Sequence, residues 1–202
     1  MKAKIYPAQP LLLRFAASTL LLALLLPALF AFPLTLLAAP TYTVTSGADS
    51  GAGSLREGMS TIDSGGTITI PASVSTISLD VALVVAKDMT ITAAAGHTVT
   101  ITVSGDFRHI MGYSAAVVNF TLQGITFQGL GGTASGGGVY LSGNGSVLTV
   151  QNCIFMDNRV DTTTFGAGIR LDGASSRLEV SGSTFQNNIS LTTSGAGGAV
   201  YA

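Results

Sequence analysis

Asp157, Arg159 and Asp161 crowd one short segment of this 202-residue chain, and Arg170 and Asp172 follow in the next strand-like stretch. Carboxylates that converge from neighbouring segments can hold Ca2+, which takes about six to eight oxygen ligands. An Arg or Lys beside such an ion would act as the base of a polysaccharide lyase. Here the carboxylates come mostly from single repeat units, and Asn187, not an acid, stands in register with Asp157. They read as a solvated loop and an exposed strand edge. A polysaccharide lyase or hydrolase is kept as the alternative function, since shared architecture alone does not assign chemistry.

Other reactive side chains are scattered. His97 and His109 lie in different segments without the spacing of metal ligands. Asp106, Arg108 and His109 are close together, but alternation sets them at turn or outward positions. Cys153 aligns with Ile125 and Ser183 at a wall position, which suits a buried, inert thiol. As the only cysteine it excludes an intramolecular disulfide. The glycines of 129–138 lack the Lys-Ser/Thr and following helix of a phosphate loop. Asn119, Asn144 and Asn188 head glycosylation triplets that arise by chance in so Ser/Thr-rich a chain. No catalytic residue, cofactor-binding residue or metal ligand is assigned, and no cofactor is expected.

The elements that position these groups follow a leader of different material. Lys2, Lys4 and Arg14 precede an uncharged, largely apolar run from Phe15 to Ala39. A basic segment, an apolar segment and small residues at Ala38 and Ala39 are the layout of a secretory signal. Uncut, the run would be long enough to span a bilayer; Pro27 and Pro33 and the abrupt polar change after it favour cleavage near Ala38 or Ala39. Beyond residue 39, six cations remain against ten carboxylates, a formal charge of −4. That balance offers no footprint for nucleic acid and no polybasic membrane patch.

Repeats organise the rest. Gly124-Ile125-Thr126-Phe127, Asn152-Cys153-Ile154-Phe155 and Gly182-Ser183-Thr184-Phe185 recur 28 and 30 residues apart. Gly138-Val139-Tyr140, Gly168-Ile169-Arg170 and Ala199-Val200-Tyr201 recur at 30 and 31. A unit of this size cannot bury its apolar edge alone, so the period predicts a β-solenoid whose coils stack ~4.8 Å apart. Stacking would align Phe127, Phe155 and Phe185 in one column and Leu122, Val150 and Val180 in another. Tyr140, Arg170 and Tyr201 would share an outward or edge column. Asn158 and Asn188, three residues after the Phe, would form an asparagine ladder and supply the left-handed conformation of a sharp corner. Leu130 occupies that place one repeat earlier.

Upstream, residues 67–70, 74–79, 82–86, 89–92 and 97–103 alternate as further strands. Ser54-Leu55-Arg56-Glu57 is a capping box, and Leu55, Met59 and Ile62 then fall on one helical face. A short amphipathic helix here would close the open end of the core, which a solenoid must cover. The domain reading is 1–39 signal peptide, 40–66 linker and N-terminal cap, and 67–202 coils, incomplete at the C-terminus.

Phe155-Met156-Asp157-Asn158 and Phe185-Gln186-Asn187-Asn188 resemble the Phe-x-x-Asn half of the chlamydial polymorphic outer-membrane protein repeat. Gly197-Gly198-Ala199-Val200 is similar to its Gly-Gly-Ala-(Ile/Leu/Val) half; residues 136–139 and 166–169 are near matches. Residues 50–57 resemble the SLRE-type opening motif of bacterial β-helix surface proteins, with Gly53 where some carry Cys. The resemblance implies an all-β, right-handed parallel β-helix of the pectate-lyase-like type. It also implies an exported protein, secreted or at the cell surface or outer membrane, non-catalytic and adhesin-like or structural. A glycan or protein ligand at an extracellular surface would be its partner. The family's C-terminal membrane barrel, and any outer-membrane association through it, would lie beyond Ala202.

Overall fold

Strands in this chain are short because each β-branched run is closed by a residue that cannot continue it. Gly66-Thr67-Ile68-Thr69-Ile70 buries alternate residues and stops at Pro71, which has no N–H for a ladder. Gly124, Asn152 and Gly182 close the next runs with positive φ, a conformation that glycine and asparagine adopt most readily. The computed structural model describes residues 38–105, 107–113, 117–129, 137–160, 166–191 and 197–202. Residues 1–37 of the expected signal, Asp106, Leu130, Asp161 and most of the Gly/Ser/Thr loops lie outside the described residues.

With strands numbered in chain order, one sheet runs β1 (Thr41–Thr43), β2 (Gly66–Ile70), β5 (Met89–Ala93), β8 (Asn119–Gln123), β11 (Val147–Gln151) and β15 (Arg177–Ser181). A second runs β3 (Thr76–Leu79), β6 (Val99–Val103), β9 (Ile125–Gln128), β12 (Ile154–Met156) and β16 (Thr184–Gln186). The third holds β4 (Leu83–Val84), β7 (Ile110–Gly112), β10 (Val139–Leu141), β14 (Ile169–Leu171) and β18 (Val200–Tyr201). β13 (Arg159–Val160) and β17 (Ile189–Ser190) form a two-stranded pair. The pairings are parallel. The chain therefore visits the walls in turn and returns one layer on, a parallel β-solenoid of about five turns.

Inward positions form the core. Ile68, Ile91, Leu122, Val150 and Val180 are in register on the first sheet. On the second, Ile77, Ile101, Phe127, Phe155 and Phe185 are in register. The phenylalanine rings stack with centroids 4.9 and 5.0 Å apart. Stacking adds about 0.5–1.5 kcal/mol per pair to the burial of each ring. In the last coil the same columns are uncovered: Val180 is exposed, and Leu178, Phe185 and Val200 are half-buried.

The repeat glycines are explained by the same stacking. A Cβ on Gly138 would lie 2.2 Å from Gly168 O and 2.9 Å from the Phe155 ring; on Gly168 it would meet Ala199 O at 2.7 Å. Gly197 has no room for a different reason, since Val200 O, three residues on in its own turn, would be 1.9 Å away. Gly198 differs: its nearest neighbour would be Asn188 O at an ordinary 3.5 Å, and Ala167 carries a methyl at the equivalent place.

The asparagine positions need one correction. The left-handed residues at that corner are Asp157 and Asn187 (φ 55° and 52°), one residue before Asn158 and Asn188. With the tight turn taken there, Asn158 turns its side chain inward and is buried. Its Nδ2 donates to Phe127 O at 3.1 Å and to Asn188 Oδ1 at 2.9 Å, and Asn188 Nδ2 repeats the pattern to Phe155 O at 2.8 Å. The ladder exists, but it staples each coil to its neighbours rather than supplying the bend.

Helix α1 (Leu55–Thr61) starts where the sequence places it. Ser54 Oγ accepts from Glu57 N at 3.2 Å, and Leu55, Met59 and Ile62 join the core. The Glu57 carboxylate reaches past the N-cap amide to Gly53 N (2.7 Å), and Tyr42 OH donates to it at 2.7 Å. Tyr42 belongs to β1, a strand within the stretch expected to be linker; it pairs with β2 through Thr41↔Thr67.

Phe155→Ala should lower the unfolding free energy by about 3–5 kcal/mol, measured by urea denaturation. Phe185→Ala, half-buried in the last coil, should cost clearly less; equal losses would contradict the one-sided packing of that coil. Ser54→Ala should cost about 1 kcal/mol through the lost helix cap.

Candidate functional site

The three-residue strands of the third sheet, β7, β10 and β14, each present one outward residue between two inward ones, and the two-residue β4 and β18 continue the column. The register aligns those outward residues as Val84, Met111, Tyr140, Arg170 and Tyr201. They recur at the strand spacing of ~4.8 Å, so the column is a stripe parallel to the solenoid axis. The Arg170 guanidinium lies 5.4 Å from the Tyr140 ring centre and 5.9 Å from that of Tyr201. Arg108, just before β7, lies closer over Tyr140 at 4.4 Å. Such contacts stabilise by about 0.5–2 kcal/mol, more when water is excluded.

The two arginines are in different electrostatic states. Arg170 holds Asp172 with both ends of its fork, Nε to Oδ1 at 2.8 Å and NH2 to Oδ2 at 2.6 Å. That hydrogen bond raises the Arg170 pKa. Arg108 is half-buried, and burial pushes it below the usual arginine value, helped by the nearby Arg170 charge and opposed by weaker pulls from Tyr113, Tyr140 and Asp172. It makes no hydrogen bond or ion pair with a described residue. Tyr113 beside it is 59% exposed. The stripe thus offers aromatic faces, one neutralised guanidinium and one whose in-plane N–H groups have no acceptor among the described residues.

The acidic and basic groups that opened the sequence reading are not brought together. Asp157 accepts from Asn187 Nδ2 at 3.2 Å at the corner after the second sheet, whereas Arg170 and Asp172 stand on the third. Arg159 is exposed in β13, and Asp161 lies outside the described residues. No three His, Cys, Asp or Glu side chains converge among the described residues. Cys153 is buried in the wall, and burial pushes its thiol pKa up. His97 sits in a corner loop with Nε2 3.3 Å from Val74 O. A surface depression of about 400 Å3 beside α1 is lined by Ser50, Ser54, Arg56 and Glu57, and the polar groups of Ser54, Arg56 and Glu57 already bind one another or the adjoining backbone.

His109 is a correction. Expected at a turn or outward position, it is fully buried, edge-on to Phe127 with ring centres 5.6 Å apart. The register explains why: His109 occupies the place of Gly138 and Gly168, and Ile101 stands in its coil where later coils carry the larger Phe. Nδ1 is 2.8 Å from Gly137 O and Nε2 is 3.0 Å from Gln128 O. A neutral ring has one N–H and satisfies one of these carbonyls. Arg108, its neighbour, is at the outward position that alternation gave it, over Tyr140; what the sequence reading did not assign is its place beside the third-sheet column. The available signal was the bulky Arg108-His109 pair at the places of Gly137-Gly138.

Burial holds the His109 pKa below its ordinary value, outweighing the opposite pull of the facing carbonyls. The unfolded ring therefore binds its proton more readily. Stability should be full above the unfolded value of about 6.5 and fall as pH drops through it toward the lowered folded value. Measured by urea unfolding at about pH 8 and about pH 5.5, wild type should lose more stability than His109→Gln. Parallel losses in the two proteins would show that His109 does not titrate on unfolding.

No protein-family model, curated protein or solved structure matches this chain.

Proposed function

We propose that residues 40–202 are a non-catalytic, adhesin-like or structural surface module, exported by the leader at 1–39 and displaying its third-sheet stripe to an extracellular ligand. The observation that carries this reading is the in-register outward column of Met111, Tyr140, Arg170 and Tyr201, flanked by Arg108 and Tyr113. Monomeric proteins rarely leave aromatic and apolar groups in such a contiguous stripe without a partner, and Tyr and Arg are the residues that dominate binding surfaces. The rigid solenoid beneath suits recognition, because little order has to be gained on binding.

The finer features belong to the same proposal. The solenoid is right-handed, as parallel crossovers are in nearly all proteins, and of the pectate-lyase-like type. Helix α1 serves as the lid of its first coil, a role that fits the burial of Leu55 and Met59. The Phe-x-x-Asn and Gly-Gly spacing supports kinship with the chlamydial-type surface repeats, hence attachment at the cell surface or outer membrane.

Expressed in a Gram-negative host, the full chain should leave the cytoplasm with its new N-terminus near residue 39 or 40; an unprocessed cytoplasmic product would refute export. On an array of glycans and matrix proteins, Tyr140→Ala and Arg170→Ala should each weaken binding about tenfold, while Thr149→Ala on the first sheet should not. Binding indifferent to the stripe variants would overturn the assigned face. Release of unsaturated sugars from polyuronates would overturn the non-catalytic reading in favour of a lyase.

A further inference from the structure

The geometry points to a carboxylate-bearing glycan, a uronic acid polymer, as the ligand of this stripe, with Arg108 taking the carboxylate and the tyrosines taking the sugar faces. This rests on the third sheet being the binding face.

Arg108 carries the argument. A guanidinium is a planar fork of five N–H donors that matches a carboxylate with two parallel hydrogen bonds. Taking such a charge from water without an acceptor is costly, so half-buried arginines are ordinarily paired. Arg108 is half-buried, yet no described residue accepts from it. Tyr140 covers one face of the group, 4.4 Å away, and leaves its edge donors free. Arg170 is the internal control. Two layers further along the same stripe, its fork is filled by the Asp172 carboxylate with bonds of 2.8 and 2.6 Å. The stripe therefore shows the chemistry that satisfies an arginine there, and at Arg108 no described carboxylate hydrogen-bonds to the fork.

The surroundings select a sugar over other acids. Tyr113 stands 59% exposed next to Arg108, and Tyr140 and Tyr201 follow along the column. Aromatic rings with a polar edge stack on the C–H faces of pyranoses while their hydroxyls reach the ring substituents. Column positions recur at ~4.8 Å, close to the length of one sugar along an extended polymer, so successive residues of a chain laid on the axis meet successive coils. An acidic peptide supplies the carboxylate but not the stacking faces, and a neutral glycan supplies the faces but not the acid. The open stripe suits a segment of polymer rather than an enclosed small molecule.

The test uses the full chain recovered from the secreting host, an oligomannuronate hexamer, its carboxyl-reduced neutral counterpart and an oligoglutamate peptide, with dissociation constants from calorimetry. The hexamer should bind about tenfold more tightly than the reduced sugar or the peptide, and more weakly as salt rises. Arg108→Gln should bring the hexamer down to the affinity of the reduced sugar; Arg108→Lys, which keeps the charge without the fork, should restore only part. Thermal unfolding of both variants controls for folding. Equal binding of charged and reduced sugars, equal binding of the peptide, or an Arg108→Gln protein that still prefers the acid would each overturn the inference. If Tyr140→Ala and Arg170→Ala still weaken array binding about tenfold while the hexamer fails, the ligand class is wrong and the face stands. If they do not, the face itself is wrong.

Discussion

Each coil of this solenoid buries its inner residues only against the coils on either side, so in-register stacking is the constraint from which the other features follow. Phe155 is buried because Phe127 and Phe185 lie on its two faces, 4.9 and 5.0 Å away. Gly138 is glycine because the next coil's backbone carbonyl and the Phe155 ring occupy the space of a side chain. A register shift of one residue would turn every inward position outward, and each ring, glycine and amide would lose its partner together. The Asn158–Asn188 pair reads that register directly, since its bonds run both to the neighbouring coil's asparagine and to the neighbouring coil's phenylalanine carbonyl. Asn158 Oδ1 is buried without a partner among the described residues. In the ladder's pattern its donor would be an asparagine one coil earlier, where the sequence has Leu130.

At the N-terminal end the constraint has a different solution. A first coil has no predecessor to set its register, and here a short segment fixes it by polar bonds. Arg56 donates from NH1 to Ala82 O (2.9 Å), from NH2 to Val81 O (2.7 Å) and from Nε to Asp49 O (3.1 Å), and it pairs with the Asp49 carboxylate. Asp49 also accepts from Asp80 N at 3.1 Å. Residues 49–57 thus start α1 through Ser54 and Glu57 and, through Arg56 and Asp49, tie the loop between the second and third sheets to the segment before the helix. Gly53 completes it, with φ of 77° and no room for a Cβ beside Thr45 Oγ1.

The solenoid was legible in the sequence wherever consecutive coils repeat the same residue type at the same place. Phe127, Phe155 and Phe185 mark the second sheet, and the Gly-Val-Tyr and Gly-Ile-Arg segments mark the third; two landmarks with one period leave little freedom in the stacking. Legibility fails where a coil departs from the repeat. β1 has the bare composition of a linker, and only its pairing with β2 makes Thr41–Thr43 a strand. His109 reads as a turn residue because polar residues usually face water; tertiary space beside Ile101 and backbone carbonyls at both nitrogens overrode that preference. The left-handed corner was assigned to Asn158 and Asn188 on propensity, although Asp157 and Asn187 have similar tolerance and lie one residue closer to the turn.

The candidate site was half legible for a related reason. Tyr140, Arg170 and Tyr201 follow from the repeat, because an outward position inherits its register from the inward residues on either side of it. Arg108 does not, since it belongs to the coil that breaks the Gly-Gly pattern. Yet Arg108 and His109 are consecutive, and alternation sends one outward over Tyr140 as it sends the other inward against Phe127. The inward ring fixes the backbone there, through carbonyls of Gln128 and Gly137 that belong to the next coil. That anchoring holds the neighbouring guanidinium over the aromatic face at a place where later coils, with glycine or alanine, present no side chain able to reach it. A departure from the repeat in the core is thus what sets the charged end of the stripe, and the register of the solenoid carries the rest of the stripe to it.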